Sequence, residues 1–422
     1  MRKLILAVIF LPSLVHATDA SFDEFKKDWQ EQQQNHIQQQ QQEYDAFRTE
    51  YLSDYDKFRG QLLQNWAVPV QSSMDQQIVY SGDLQSRVIV DEEAQTLTIE
   101  QLDTNVPFEP EAVITELLDE GNAAPVLQVI IDNEESVKKL QQSTPTISAQ
   151  PKVAVSEKVL EQQIVVQYEQ VFNSLDADET ITESEVKAKK EVLEKQQKVR
   201  VENLVKQVDK VKTQDVKYKN IKSYTIALPE DYLYRKASPF LDSFSKQASD
   251  HQQELALLLA ISHAESSFNP QAKSHIPAFG LMQIVPRSAG MDVANKLLKQ
   301  SAAPTANELY QPETNILYGA GYLSILSDRY LKGIKDPKSQ KYCVIAAYNT
   351  GAGNVAKAFN GGNSRNVKQA LVKINAMSSE QVYQTLLKRL PYSETKKYLK
   401  KVRKLEEQYH SKLPTWNGNS KL

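Results

Sequence analysis

Residues Glu254–Gly290 read ELALLLAISHAESSFNPQAKSHIPAFGLMQIVPRSAG, and the fold of the second half of the chain turns on them. Leu255, Leu258, Leu259 and Ile261 fall at helical spacing, and Asp250 with Gln253 three residues on has the form of a capping box. One acid, Glu265, stands near the end of this apolar run. Asn269-Pro270 disfavours continuation, so the pattern predicts a helix that stops soon after Glu265. A carboxyl held at the end of a hydrophobic helix, before a glycine-containing loop, can be poorly solvated. Desolvation raises its pKa, so that it keeps a proton near neutral pH and can donate it. The competing reading, a helix-end glutamate facing water, is the one that charge pattern alone favours.

The company of Glu265 reverses that preference. Glu265-Ser266, then Ser274, then Gly280-Leu281-Met282-Gln283, and far downstream Ala347-Tyr348-Asn349, together resemble the lytic transglycosylase family over roughly residues 240–405. These enzymes cleave the glycan strands of peptidoglycan with a lysozyme-like helical domain. The resemblance implies roles by position: Glu265 as acid and base, Ser274 bonding near the reactive sugar, and Met282 and Gln283 lining a cleft. It also has Gly280 admitting the glycan to the backbone, the Tyr348 hydroxyl orienting the carboxyl, and Asn349 beside it. Leu390-Pro391-Tyr392-Ser393-Glu394-Thr395 with Tyr398 resembles the C-terminal signature of the family, with Glu394 contacting the stem peptide. Structural alternatives stand beside these: Met282 as core, Gly280 as a turn, Tyr398 as a packed helix aromatic.

Glycoside cleavage usually employs two carboxylates, yet no second acid occurs between Glu265 and Asp292. The resemblance implies that none is required. One glutamate serves first as acid and then as base, and the substrate's 2-acetamido group stabilises the positive centre. The C6 hydroxyl of the same N-acetylmuramic acid then closes a 1,6-anhydro ring, an attack favoured by its tethering. No metal or organic cofactor is implied. His251, His263 and His275 lie around the motif without carboxylates or cysteines at ligand spacing, so a groove-facing or surface role is expected of them.

Upstream, Arg2 and Lys3, the apolar stretch Leu4 to Val15, and Val15-His16-Ala17 have the form of a secretory signal cleaved after Ala17, which predicts a periplasmic protein. No later run reaches the length of a transmembrane helix. Ala17-Thr18 stands where the membrane-bound, type C branch of the family carries a lipidated cysteine, so a form without a lipid anchor is expected. The one cysteine, Cys343, precedes Val344-Ile345-Ala346-Ala347 in an apolar helix and reads as a buried thiol. With 50 basic and 53 acidic residues, net −3, composition does not point to nucleic acid or to an anionic membrane surface.

Residues 18–66 read as an amphipathic helical arm, one helix or a hairpin, whose seam of Phe22, Phe25, Trp29, Tyr44, Phe47, Tyr51, Tyr55 and Phe58 is interrupted and loosened by the Gln30–Gln42 run. Residues 67–228 read as an α+β module. Arg87–Val90 and Leu97–Ile99 are its strands around a polar turn, Glu111–Leu118 a helix, Val126–Ile131 another strand, STPTISAQ (143–150) a loop, and SYTIAL (223–228) a closing strand. Its start also resembles the type C branch. The charged segment 150–215 reads as partly helical with a solvated face, Thr182 to Glu185 as a capping box, and Val201, Leu204, Val208 and Val211 as a narrow seam.

The fold expected is thus an α+β N-terminal module followed by an all-α lysozyme-like catalytic domain over 229–422. Its partners are peptidoglycan glycan strands and stem peptides, and residues 18–220 leave a cell-envelope protein partner open. Two other functions compete: a hydrolytic muramidase of goose-lysozyme type, and an idle peptidoglycan-binding scaffold.

Overall fold

The computed structural model describes residues 19–419 except 74–75, 104–108, 120–124, 152–153, 178–180 and 215. The predicted signal segment lies outside the described residues. The chain forms two units, Met1–Ser53 and Asp54–Leu422. Helix α1 (Asp19–Leu62) starts in the first and ends in the second. It runs unbroken through the glutamine tract, where a loose middle was expected, because glutamine is itself a good helix former. In the second unit its last turns are fixed by Arg200, whose guanidinium donates to both oxygens of Asp56 at 2.9 and 2.6 Å.

Alternating β-formers build an antiparallel sheet: β1 (Gln76–Tyr80), β2 (Ser86–Asp91) and β3 (Thr96–Leu102). Three short helices follow, α2 (Pro110–Asp119), α3 (Pro125–Ile131) and α4 (Glu134–Gln142). Helix α3 replaces the strand expected at Val126–Ile131; a mostly apolar segment of seven residues is too short for its period to decide between the two, and Leu127 and Ile130 bury one helical face. The predicted 143–150 loop contains β4 (Thr146–Ser148), an exposed edge strand whose partner is β5. The long helices α5 (Ala154–Ala177) and α6 (Glu183–Thr213) pack as a hairpin around Leu160, Ile164, Tyr168, Leu204 and Val208, and the Thr182 capping box forms. Strand β5 (Ile221–Ala227) closes the sheet in the order β1-β2-β3-β5-β4. Register places Val88 opposite Ile99, Val90 opposite Leu97, and Leu97 opposite Ile226, so one face is apolar.

The remainder is helical: α7 (Tyr232–Ala237), α8 (Leu241–Asp250), α9 (Leu255–Ser266), α10 (Met291–Val293), α11 (Ala306–Leu309), α12 (Pro312–Ile325), α13 (Pro337–Thr350), α14 (Ala352–Phe359), α15 (Val367–Ile374), α16 (Ser379–Arg389) and α17 (Ser393–Asn419). The capping box expected at Asp250 does not form. That residue belongs to α8 and accepts from Lys246 at 2.6 Å, while α9 begins after Glu254 without a side-chain cap. Every side chain of α9 from Ala256 to His263 is buried, as befits a helix that is apolar all round. Helix α17 packs along it, and one hydrophobic core joins these helices to Val88, Val90, Leu97 and Ile99 of the sheet. Among the described residues no helix is long and apolar enough to cross a membrane.

Candidate functional site

Glu265 lies on the last turn of α9, which is capped by Ser267 in the left-handed conformation (φ 50°). Its side chain is half-buried, and desolvation pushes its pKa up to about 8. The nearby Tyr398 hydroxyl and the charge of Lys401 pull it back, while the carboxylate of Glu394 pushes it further up. Three of these neighbours, Glu394, Tyr398 and Lys401, come from α17, and from α13 the hydroxyl of Tyr348 feels the Glu265 charge in turn. A carboxyl so placed retains its proton through neutrality.

The loop after α9 is held against that turn. Ser266 Oγ donates to the Leu281 carbonyl at 2.7 Å, tying the residue next to Glu265 to Gly280-Leu281-Met282-Gln283. From α12, the buried Asn315 accepts from Met282 N and donates to the Phe279 and Leu309 carbonyls, each at 2.7 Å. Gly280 has φ +73°, and a Cβ there would sit 2.3 Å from the Leu309 carbonyl oxygen, so only glycine fits.

The other predicted site residues fall into separate groups. Tyr348 donates to the Met282 carbonyl at 2.9 Å and packs on Tyr322, so its hydroxyl is committed to the loop while facing the carboxyl electrostatically. Met282 is fully buried against Gly319, where an added Cβ would stand 2.1 Å from its sulfur. Gln283 turns back on its own loop, donating to Gly280 O at 2.9 Å and Ala272 O at 3.2 Å. Ser274 donates to the Ile276 carbonyl within the loop. Asn349 accepts from Thr395 Oγ1 at 2.7 Å and from Asn173 Nδ2 at 3.1 Å. Glu394, raised to about 7 by burial, accepts from Gln170 Nε2 at 3.0 Å. Cys343 is fully buried, as expected, and burial pushes its thiol pKa up.

Gln170 and Asn173 were not anticipated. They belong to α5 in the charged segment read as a solvated helix, and that helix docks against the site. Asn173 also accepts from Thr350 Oγ1, and Asp176 one turn on takes Lys190, Arg365 and the Tyr392 hydroxyl. Polar residues at 170, 173 and 176, three apart on a helix with apolar faces, were the only trace of this in the sequence. The histidine expectation is corrected for His263. It is 1% exposed, with Nε2 2.9 Å from Glu92 Oε2 and Nδ1 2.9 Å from the Tyr409 hydroxyl, because its helix is buried on every side. His275 is buried too, its Nε2 3.1 Å from the Gln167 carbonyl.

Residues 242–371 match the family model of the transglycosylase SLT domain. In sequence the chain is similar to membrane-bound lytic murein transglycosylase C of Sodalis glossinidius, with 41% identity over 200 residues, 47% of this chain and 55% of that protein. The protein of the same name from Pectobacterium atrosepticum is 43% identical over 187 residues, 44% of this chain and 51% of its own. The chain thus spans about half the length of the curated relatives it matches. Among solved structures, the 70 kDa soluble lytic transglycosylase of Escherichia coli has 20% identity and a TM-score of 0.34 over 74% of this chain and 38% of that one, too low to bear on the fold.

Proposed function

We propose that this chain is a peptidoglycan lytic transglycosylase that cleaves the β-1,4 bond between N-acetylmuramic acid and N-acetylglucosamine, with Glu265 as its acid and base. The observation that carries the reading is the state of Glu265: a half-buried carboxyl inside an SLT domain, flanked by Tyr398 and Tyr348, with a pKa near 8. Protonated at neutral pH, it can give its proton to the leaving glycosidic oxygen. The carboxylate so formed can then take a proton from the C6 hydroxyl as that oxygen attacks C1 and closes the 1,6-anhydro ring. Proton, leaving group and nucleophile balance within one sugar chain, and tethering of the nucleophile supplies the entropic advantage. Tyr348, Gln283, Ser274, Gly280, Met282 and Asn349 would shape the glycan-binding loop and Glu394 and Tyr398 the opposite wall. The enzyme would act in the periplasm, on glycan strands that carry stem peptides.

Glu394 gives a specific ground for a second reading. Two neighbouring carboxyls, raised to about 8 and about 7, are also what a hydrolytic muramidase would use to activate water. Digestion of purified peptidoglycan by the full chain and its Glu265→Gln variant, with mass analysis of the fragment ends, separates the two. Anhydro ends, lighter by one water and absent with the variant, are the expected result. Reducing ends would make it a muramidase. Equal glycan release by both proteins would remove Glu265 from the chemistry, and no release by either would favour the scaffold.

A further inference from the structure

Glu92 sits in the turn between β2 and β3, far from the SLT segment in sequence, yet its side chain is 4% exposed beneath the end of α9. One oxygen accepts from Lys236 Nζ at 2.9 Å, Tyr232 OH at 3.1 Å and Ser267 Oγ at 2.8 Å. The other lies 2.9 Å from His263 Nε2 and 3.3 Å from Lys401 Nζ. A single carboxylate therefore ties α7, α9, the turn after α9, and α17 together. His263 and Ser267 stand two residues before and two after Glu265. Ser267 and Phe268 are consecutive non-glycine residues at φ 50° and 61°, a conformation that persists only where the surroundings impose it.

Stability alone does not account for this carboxylate, since well-packed apolar residues do as well as a buried ion cluster. What the cluster adds is geometry. Resting on the transglycosylase reading, we propose that Glu92 is a positioning residue for Glu265: the sheet turn grips both flanks of the catalytic carboxyl and holds Lys401 at its side. The electrostatics follow from the groups in place. Glu265 is faced by Glu394, Tyr398 and Lys401 from α17 and by Tyr348 from α13. Glu92 is faced by Lys236 and Tyr232 from α7, by His263 and Ser267, and by Lys401 and Tyr409 from α17. Burial keeps His263 below its ordinary pKa, so the two lysines carry the positive charge that Glu92 balances.

The test uses the full chain with Glu92→Gln, Lys401→Met and both together, followed by circular-dichroism melts, kcat and KM on peptidoglycan, and a carbon-13 NMR titration of the Glu265 carboxyl, assigned with Glu265→Gln. Glu92→Gln should lower kcat by about tenfold to hundredfold with KM unchanged. It should also lower the Glu265 midpoint, because two ammonium groups lose their counter-charge. Lys401→Met should raise that midpoint, and the pair should cancel in large part. Should Glu92→Gln fail to fold, Ser267→Ala removes one flank bond without exposing a buried charge, and a reduced kcat at near-native melting temperature supports the same role. A folded Glu92→Gln protein with wild-type kcat and an unmoved carboxyl midpoint overturns the proposal, as does a Ser267→Ala protein with wild-type kcat. Wild-type protein that releases no glycan fragment would sink the transglycosylase reading instead, while the carboxyl titration still decides whether Glu92 governs Glu265.

Discussion

Glu265 is the residue at which sequence and structure meet most directly. The apolar run, its single acid and the Asn269-Pro270 stop together defined a helix that ends where α9 ends, at Ser266. The raised pKa has a stability consequence whose sign is fixed. The folded-state value, about 8, exceeds the ordinary carboxyl value of 4.5, so the folded protein binds the proton more tightly than the unfolded chain. Stability from this group is complete below 4.5 and declines as pH rises toward 8, because the buried site disfavours the carboxylate. Glu265→Gln cannot ionise, so the variant should gain melting temperature relative to wild type as pH increases across that window and plateau above it. Melts at a series of pH values check this, and a constant difference would mean that the carboxyl titrates normally. What the sequence could not supply is the partners: Glu92, Lys401 and Tyr409 meet His263 only through tertiary packing.

At the level of elements, period was a good guide where it existed and silent where it did not. Strands β2 and β3 alternate and were legible, as were the Thr182 capping box and the closing strand before Pro229. Helix α3 and strand β4 differ from the expectation because segments of seven and three residues contain too little period to decide. Helix α5 is the instructive case. Its charge content gave a solvated helix, yet Gln170, Asn173 and Asp176 reach α13, α17 and the loop after α14 through polar contacts that only a docked helix can make. Asn173 is 3% exposed and donates to the Asn349 carbonyl at 3.3 Å, to Asn349 Oδ1 at 3.1 Å and to Thr395 Oγ1 at 3.4 Å. Asn173→Leu would strand these groups and that of Thr350 in a buried place, at a cost of about 1–3 kcal/mol. Urea unfolding should register that loss, and glycan release per folded molecule should fall with it as Asn349 loses its support. Unchanged turnover in a destabilised variant would make α5 a strut and not a wall of the site.

Across the whole molecule, residues on both sides of Leu228 contribute to a single interior. Val88, Val90, Leu97, Ile99, Leu127 and Ile130 share a hydrophobic core with Leu233, Phe244 and Leu258, and Glu92 balances Lys236 and Lys401 from the far side of that boundary. A segment of 229–422 expressed by itself would expose the apolar contact to water and lose the carboxylate that Lys236 and Lys401 share. Each large apolar side chain so exposed costs about 1.5–3 kcal/mol, against a total stability of about 5–15 kcal/mol for an ordinary domain. The segment should therefore melt far below the full chain, or fail to fold, although it contains the whole SLT match and Glu265. The full chain should lose the sheet and the helices around Glu265 in one transition, since the same buried atoms hold both. Circular-dichroism melts of the segment and of the full chain compare them directly. A segment 229–422 that melts cooperatively at the full chain's temperature would mean that the sheet turn and α5 only rest on a self-sufficient helical domain.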